Sequence, residues 1–260
     1  MADNATLDAI AQQLLDAYTS GNAIQPPREQ EPALTVEDAY AIQQRQERAF
    51  EEQGQRVVGR KIGLTSLAMQ EQLGVDSPDF GFFTDKQVYS STAPIPTSQF
   101  LSPKVEPELG FKLGADLAAD ASFEDVVAAV ASTHLAIEII DSRVRDWDIK
   151  LVDTIADNAS CGAIIIDDNP VNIPVEALTT VPAAMSIDGL EASAGVGEAV
   201  MGHPLKPLQW LAQTLGELGV PLRKSDIILT GSFCAAAPVV AGSTVEVDYG
   251  RYGTLTARFN

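Results

Sequence analysis

Histidine and cysteine are nearly absent from this chain, with two of each among 260 residues. With so few, and with neither CxxC nor HExxH, a zinc site has little to be built from. Cys161 and Cys234 sit in runs of apolar or small residues, the setting of buried free thiols rather than of a disulfide frame. Basic residues are also scarce: Lys plus Arg is 17 against 36 Asp plus Glu, a net charge of −19. A chain this acidic repels nucleic-acid phosphates and anionic lipid, so neither nucleic acid nor membrane is an expected partner. No uncharged apolar run reaches the roughly 18 residues of a membrane span. The N-terminus shows no basic region followed by an apolar run, so a cytoplasmic protein is expected. There is no GxGxxG fingerprint and no P-loop, which removes support for nucleotide-cofactor chemistry.

What is present is a soluble globular composition, 45% apolar and 20% charged, long enough for one large domain or a main domain with an appendage. Apolar residues at 7, 10, 11, 14, 15 and 18 have helical spacing, ended by Gly21 and Pro26-Pro27. Thr35 with Asp38 three residues on opens a second helix running to about Gln53, and 22–34 reads as loop. Residues 1–55 are thus expected to be an N-terminal helical region, and 56–260 a β-rich catalytic domain. Short β-rich runs follow from Val57 to Phe259, interrupted by helices expected over Phe123–Ser132 and Pro207–Leu218. Strands bounded by Gly, Pro and Asp predict an α+β chain with a curled mixed or antiparallel sheet.

Three carboxylates stand out. In Val105-Glu106-Pro107-Glu108-Leu109, a strand would set Glu106 and Glu108 on one face. A wet acidic face gives the same pattern, and Pro107 suggests an edge or irregular segment. Glu138 interrupts the apolar run Leu135-Ala136-Ile137-Glu138-Ile139-Ile140, typical of a strand buried on both faces. A carboxylate there must be protonated, paired with Lys or Arg, or bound to a metal. Together the three could form an all-oxygen site for a hard divalent ion, Mg²⁺ or Mn²⁺.

Lys61 lies on a short apolar segment between Gly59 and Gly63, where desolvation could tune it, although an exposed lysine reads the same way. Asp79, between Pro78 and Gly81, reads as a turn former or as a general acid/base. Arg143 could pair with a buried carboxylate or take a substrate carboxylate. Asp153-Thr154-Ile155-Ala156-Asp157-Asn158-Ala159-Ser160 is dense in small polar residues, as in a pocket wall or a tightly bonded loop. His203 reads as a capping or packing residue, and His134 as structural.

The ordered set Lys61-Ile62-Gly63-Leu64-Thr65-Ser66, Pro78-Asp79-Phe80-Gly81, Glu106-Pro107-Glu108, Glu138-Ile139-Ile140-Asp141-Ser142-Arg143, Asp153 to Ser160, Gly202-His203-Pro204 and Ile228-Leu229-Thr230-Gly231-Ser232 resembles the 2-keto-4-pentenoate hydratases. These belong to the fumarylacetoacetate hydrolase superfamily. The resemblance spans nearly the whole chain. It implies a mixed β-sandwich roll with an N-terminal helical region, assembled as a homo-oligomer (pentamer or decamer), with association with a pathway decarboxylase as a further expectation. It assigns Glu106, Glu108 and Glu138 to a divalent metal and Lys61 and Asp79 to proton transfer. Leu64, Arg143, Ser160 and Ser232 are assigned to substrate. The activity implied is water addition to 2-hydroxypenta-2,4-dienoate, or a related 2-hydroxy-dienoate, giving a 4-hydroxy-2-oxo acid in meta-cleavage breakdown of aromatics. Lys104, where such hydratases commonly carry Arg, and Pro107, where they carry Ala or Val, depart from the pattern. The similar 4-oxalocrotonate decarboxylases are the rival, but Asp79 stands where they carry an apolar residue. A non-catalytic assembly subunit would be expected to have lost part of the Lys61, Asp79 and three-glutamate set.

Overall fold

The computed structural model describes residues 2–66, 70, 75 and 77–260. Helix α1 (Asn4–Ser20) starts where the Asp3 carboxylate accepts from Thr6 N, and ends at left-handed Gly21. A single helical turn, α2 (Pro27–Gln30), occupies the segment expected to be loop, with Pro in its first turn where no amide donor is missed. Helix α3 (Val36–Glu52) opens with the Thr35/Asp38 capping box.

The strands follow as β1 (Val57–Gly63), β2 (Asp79–Thr84), β3 (Val88–Ser90) and β4 (Lys104–Leu113). Helix α4 (Phe123–Ala129) stops three residues before the expected end, because Val130 already has extended backbone. Next come β5 (Val130–Ile140), helix α5 (Leu151–Ala156), β6 (Cys161–Ile166), β7 (Pro182–Ile187) and β8 (Leu190–Val196). Helix α6 (Lys206–Glu217) precedes β9 (Ile227–Leu229), β10 (Ala237–Pro238), β11 (Thr244–Asp248) and β12 (Thr254–Arg258).

The strands form two sheets. The larger has the order β2-β1-β9-β4-β5-β6-β3, with β10 also on β4; the smaller is β12-β11-β7-β8. The large sheet is mixed: β1 runs parallel to β9 and β3 to β6, and its other pairs are antiparallel. Val105, Leu109, Phe111, Ile137 and Ile139 of the large sheet share one buried core with Val245, Val247 and Leu255 of the small one. Tyr249 ties this core to the ladder: its buried hydroxyl donates to the carbonyls of Glu108 (3.0 Å) and Ala136 (2.7 Å), residues paired across β4 and β5.

β4 is a central strand rather than an edge. Pro107 is tolerated because β9 pairs only Gly110–Lys112 and β10 only Lys104 and Val105. The Pro107 carbonyl points into the gap and accepts from Phe233 N at 3.1 Å, and a residue's amide points the same way as its carbonyl. The missing N–H therefore faces the gap rather than the β5 ladder.

Helices α1 and α3 bury Leu7, Ile10, Leu14, Ala39 and Ile42 against Ile155 and Ala156 of α5. Gln43 donates to the carbonyls of Phe80 (2.8 Å) and Ile155 (3.1 Å), and Gln46 to that of Ala156 (2.6 Å). The N-terminal helices thereby fix β2 and α5 in place. Among the described residues no helix is long and apolar enough to cross a membrane.

Candidate active site

One ladder positions all three glutamates. Glu106 and Glu108 share a face of β4, and Glu106 stands directly opposite Glu138 on β5. One oxygen from each lies within 4.8 Å of the others. Glu108 and Glu138 are fully buried, and Glu106 is half-buried at the outer end. Glu108 Oε2 accepts from Gly231 N at 2.8 Å.

The buried cation that reaches them comes from β1. Lys61 Nζ lies 3.2 Å from Glu138 Oε1 and donates to the Ala159 carbonyl at 2.9 Å. Asp79 is not in a turn; it is the first residue of β2, paired with Gly63. Thr154 Oγ1, on α5, donates to Asp79 Oδ2 at 3.3 Å. Gly63 makes room between the two groups. A Cβ there would stand 2.3 Å from Asp79 Oδ1 and 3.3 Å from Lys61 Nζ.

The electrostatics follow from burial. Desolvation, reinforced by Glu138, pushes Glu106 up to about 7. Glu108 is held well above the usual carboxylate range by burial and then by its two glutamate neighbours. Burial also raises Glu138, against the attraction of Lys61. Asp79 is raised by burial, with Lys61 and Thr154 opposing. For Lys61, burial works against the charge, but Glu138 and Asp79 outweigh it, so the ammonium persists above its ordinary range.

This arrangement fits a hard divalent cation. The donor set is all oxygen, and three close carboxylates share one buried ammonium. Among the described residues, Glu108 Oε1, Glu138 Oε1 and Asp79 Oδ1 are buried without a hydrogen-bond partner; Glu138 Oε1 lies within ion-pair distance of Lys61. Orphaned buried oxygens of this kind call for a cation or a proton.

The other expected residues divide. Ser160 Oγ is 3.4 Å from Thr154 Oγ1, beside Asp79. Ser232 follows the Gly231 amide that holds Glu108, but its hydroxyl turns back to the Cys234 carbonyl at 2.6 Å. Leu64 leaves β1 with left-handed backbone (φ 56°). Arg143 is placed otherwise than a substrate contact requires. It is fully buried and ion-paired to Asp157 at 2.6 Å. Its remaining guanidinium nitrogens donate to the carbonyls of Cys161 and Asp157.

Thr154, Gly63 and the Ala159 carbonyl were not singled out by sequence reasoning. Thr154 and Ala159 lie in a segment read only as a pocket wall. A backbone carbonyl carries no sequence signal, and Gly63 is legible only once the neighbours of its missing Cβ are known.

Residues 53–260 match the family described as fumarylacetoacetate (FAA) hydrolase C-terminal. The chain belongs to the fumarylacetoacetate hydrolase family. Within it, the chain is 40% identical to a 2-keto-4-pentenoate hydratase of Burkholderia vietnamiensis, over 100% of this chain and 99% of that one. It is 38% identical to a 2-hydroxyhexa-2,4-dienoate hydratase of Comamonas testosteroni, with the same coverage. A solved family structure, 4-oxalocrotonate decarboxylase from Pseudomonas putida G7 complexed with magnesium and adipate, superposes with a TM-score of 0.94. It is 31% identical and covers 100% of this chain and 99% of its own.

Proposed function

We propose that this family member is a metal-dependent hydro-lyase that adds water to 2-hydroxypenta-2,4-dienoate or a related 2-hydroxy-dienoate, giving a 4-hydroxy-2-oxo acid in meta-cleavage degradation of aromatics. Full-length identity of about 40% to a named hydratase supports the reaction. The observation that carries the mechanism is the juxtaposition of Asp79 and Lys61 around Gly63, beside the three glutamates.

Glu106, Glu108 and Glu138 would hold Mg²⁺ or Mn²⁺, which when bound polarises the substrate's 2-oxygen and stabilises negative charge developing there. The chain's own residues handle the protons. The 2-hydroxyl loses a proton and C5 gains one, leaving a C3–C4 double bond conjugated to the new carbonyl. Water then adds its oxygen at C4 and a proton at C3. Lys61, a buried ammonium with fixed partners, serves the enol and enolate protons. Asp79, its Oδ1 without a hydrogen-bond partner among the described residues and its other oxygen oriented by Thr154, positions and activates water.

The rival is decarboxylation of 4-oxalocrotonate, the reaction named for the solved structure. Loss of CO₂ needs no water activation, so a buried carboxylate facing Lys61 favours hydration. A non-catalytic subunit is disfavoured because all five chemistry-bearing side chains are present. Self-association, and association with a decarboxylase of the same pathway, belong to the proposal and are read by size-exclusion chromatography with light scattering.

The deciding assay follows ultraviolet loss of freshly generated 2-hydroxypenta-2,4-dienoate with Mg²⁺, Mn²⁺ or EDTA, identifying the product. Metal-dependent formation of 4-hydroxy-2-oxopentanoate is expected. Metal-dependent CO₂ release from 4-oxalocrotonate without dienoate turnover would replace the hydratase reading by the decarboxylase one.

A further inference from the structure

Three consecutive non-glycine residues, Asn158, Ala159 and Ser160, have left-handed backbone, with φ of 54°, 50° and 51°. Each is disfavoured on its own because Cβ crowds the following carbonyl, and such conformations persist only where the surroundings over-determine them. The turn is buried, and it carries two contacts into the site: the Ala159 carbonyl receives Lys61 Nζ, and Ser160 Oγ meets Thr154, the partner of Asp79.

Arg143 grips this turn at both ends. One terminal nitrogen donates to the carbonyl of Asp157, the residue before the turn, at 2.6 Å; the other donates to that of Cys161, the residue after it, at 3.0 Å. Arg143 Nε and its backbone N donate to the two oxygens of the Asp157 carboxylate at 2.6 and 2.9 Å, and Ser142 Oγ adds a third donor at 3.1 Å. Tyr18 of α1 covers the guanidinium, its ring centroid 4.5 Å from Arg143 Cζ. On the opposite side, the Asn158 side chain donates to the Phe82 carbonyl and accepts from the Phe82 amide, each at 2.8 Å. Gly81 lets the turn approach β2: a Cβ there would lie 2.3 Å from the Asn158 carbonyl.

We propose that Arg143 and Asp157 are positioning residues, which hold the left-handed turn 158–160 so that the Ala159 carbonyl and Ser160 hydroxyl set Lys61 and Asp79 for proton transfer. A fixed planar fork bridging two carbonyls suits this role, and lysine cannot reproduce it. The kinetic consequence rests on the hydratase reading; the geometric consequence does not.

The test compares wild type with Arg143→Lys, Asp157→Asn and Arg143→Lys/Ala159→Gly, each shown folded by thermal melting. Three readouts are taken: dienoate kinetics with Mn²⁺, Mn²⁺ titration of the substrate-free protein, and crystal structures. Both single variants are expected to lose kcat by roughly 100-fold, the scale for small misplacements of reacting groups. KM and Mn²⁺ affinity should stay within about threefold, because both residues are fully buried and spend their polar atoms on each other and on the turn. Glycine, which tolerates positive φ, should restore part of kcat in the double variant. The crystal structures should show Lys61 Nζ withdrawn from the Ala159 carbonyl. Unchanged kcat, or a raised KM at unchanged kcat, would overturn the proposal, as would an intact turn and Lys61 contact in both single variants. If wild type itself fails to turn over the dienoate, the hydratase reading fails alone and the crystal structures still decide this one.

Discussion

Glu106 and Glu138 are direct partners across an antiparallel ladder, two carboxylates facing each other between β4 and β5. Like charges so placed destabilise a sheet, and the partly buried setting magnifies the cost. A protein keeps such a pair where a proton or a cation resolves it. With Glu108 one step further in, the pair makes a cluster of carboxylates that could hold a metal ion; on the proposed metal assignment, stability, metal affinity and pH are linked there.

The linkage gives a signed pH prediction for the metal-free protein. Glu106 titrates at about 7 in the fold, above its ordinary 4.5. A raised folded pKa means that the native state holds the proton more tightly, so this contribution is present below 4.5 and lost as pH rises through 7. In EDTA, the melting temperature should fall between pH 5 and pH 8. Saturating Mn²⁺ should remove or reverse that fall, since metal binding requires the ionised form. A metal-free melting temperature that rises over this interval would contradict the assignment.

Glu138→Gln removes one donor and the Lys61 partner together. Mn²⁺ affinity, read by calorimetric titration, should drop by more than roughly 100-fold, since changes merely to groups that orient ligands cost about 10–100-fold. Unaltered affinity would exclude Glu138 as a ligand.

Gly63→Ala isolates the space between Lys61 and Asp79. Gly63 has no left-handed backbone to strain, but the added methyl would overlap Asp79 Oδ1. Hydration should fall by roughly 100-fold or more through displacement of Asp79, with Mn²⁺ affinity little changed. Full activity in Gly63→Ala would mean that this gap is not used in catalysis.

Asp79→Asn keeps the shape and the Thr154 contact while removing the titratable oxygen. A loss in kcat of about 10²–10⁴ is expected, the usual contribution of a positioned acid or base. Lys61→Met instead strips the buried charge from Glu138. In the absence of metal it should destabilise the fold, by up to about 3–5 kcal/mol where a buried pair is broken, less whatever Glu138 recovers by taking a proton. Chemical denaturation in EDTA and in Mn²⁺ separates these effects.

Much of this molecule was legible in its sequence because local rules govern it. Thr35 with Asp38 three residues on announced α3, and the apolar run around Glu138 announced a buried strand with a costly charge. The period of two put Glu106 and Glu108 on one face. By the same logic the sequence misled at Asp79, where Pro78 and Gly81 resembled a turn, and at Pro107, where a proline suggested an edge. Asp79 is held in β2 by its pairing with Gly63. Pro107 sits in β4 opposite a gap that only the neighbouring strands could create.

The sequence by itself determined which groups were on offer: three glutamates as hard oxygen donors, and one lysine and one aspartate that the proposal assigns to proton transfer. Tertiary structure decided which groups meet. It set Glu106 opposite Glu138, brought Lys61 to Glu138 although β9 separates β1 from β4, and committed Arg143 to Asp157 rather than to an open site. The reason is physical. Residue type and period fix what a side chain can do and which face it takes, whereas pairing register and backbone carbonyls, which carry no residue identity, fix what it finds there.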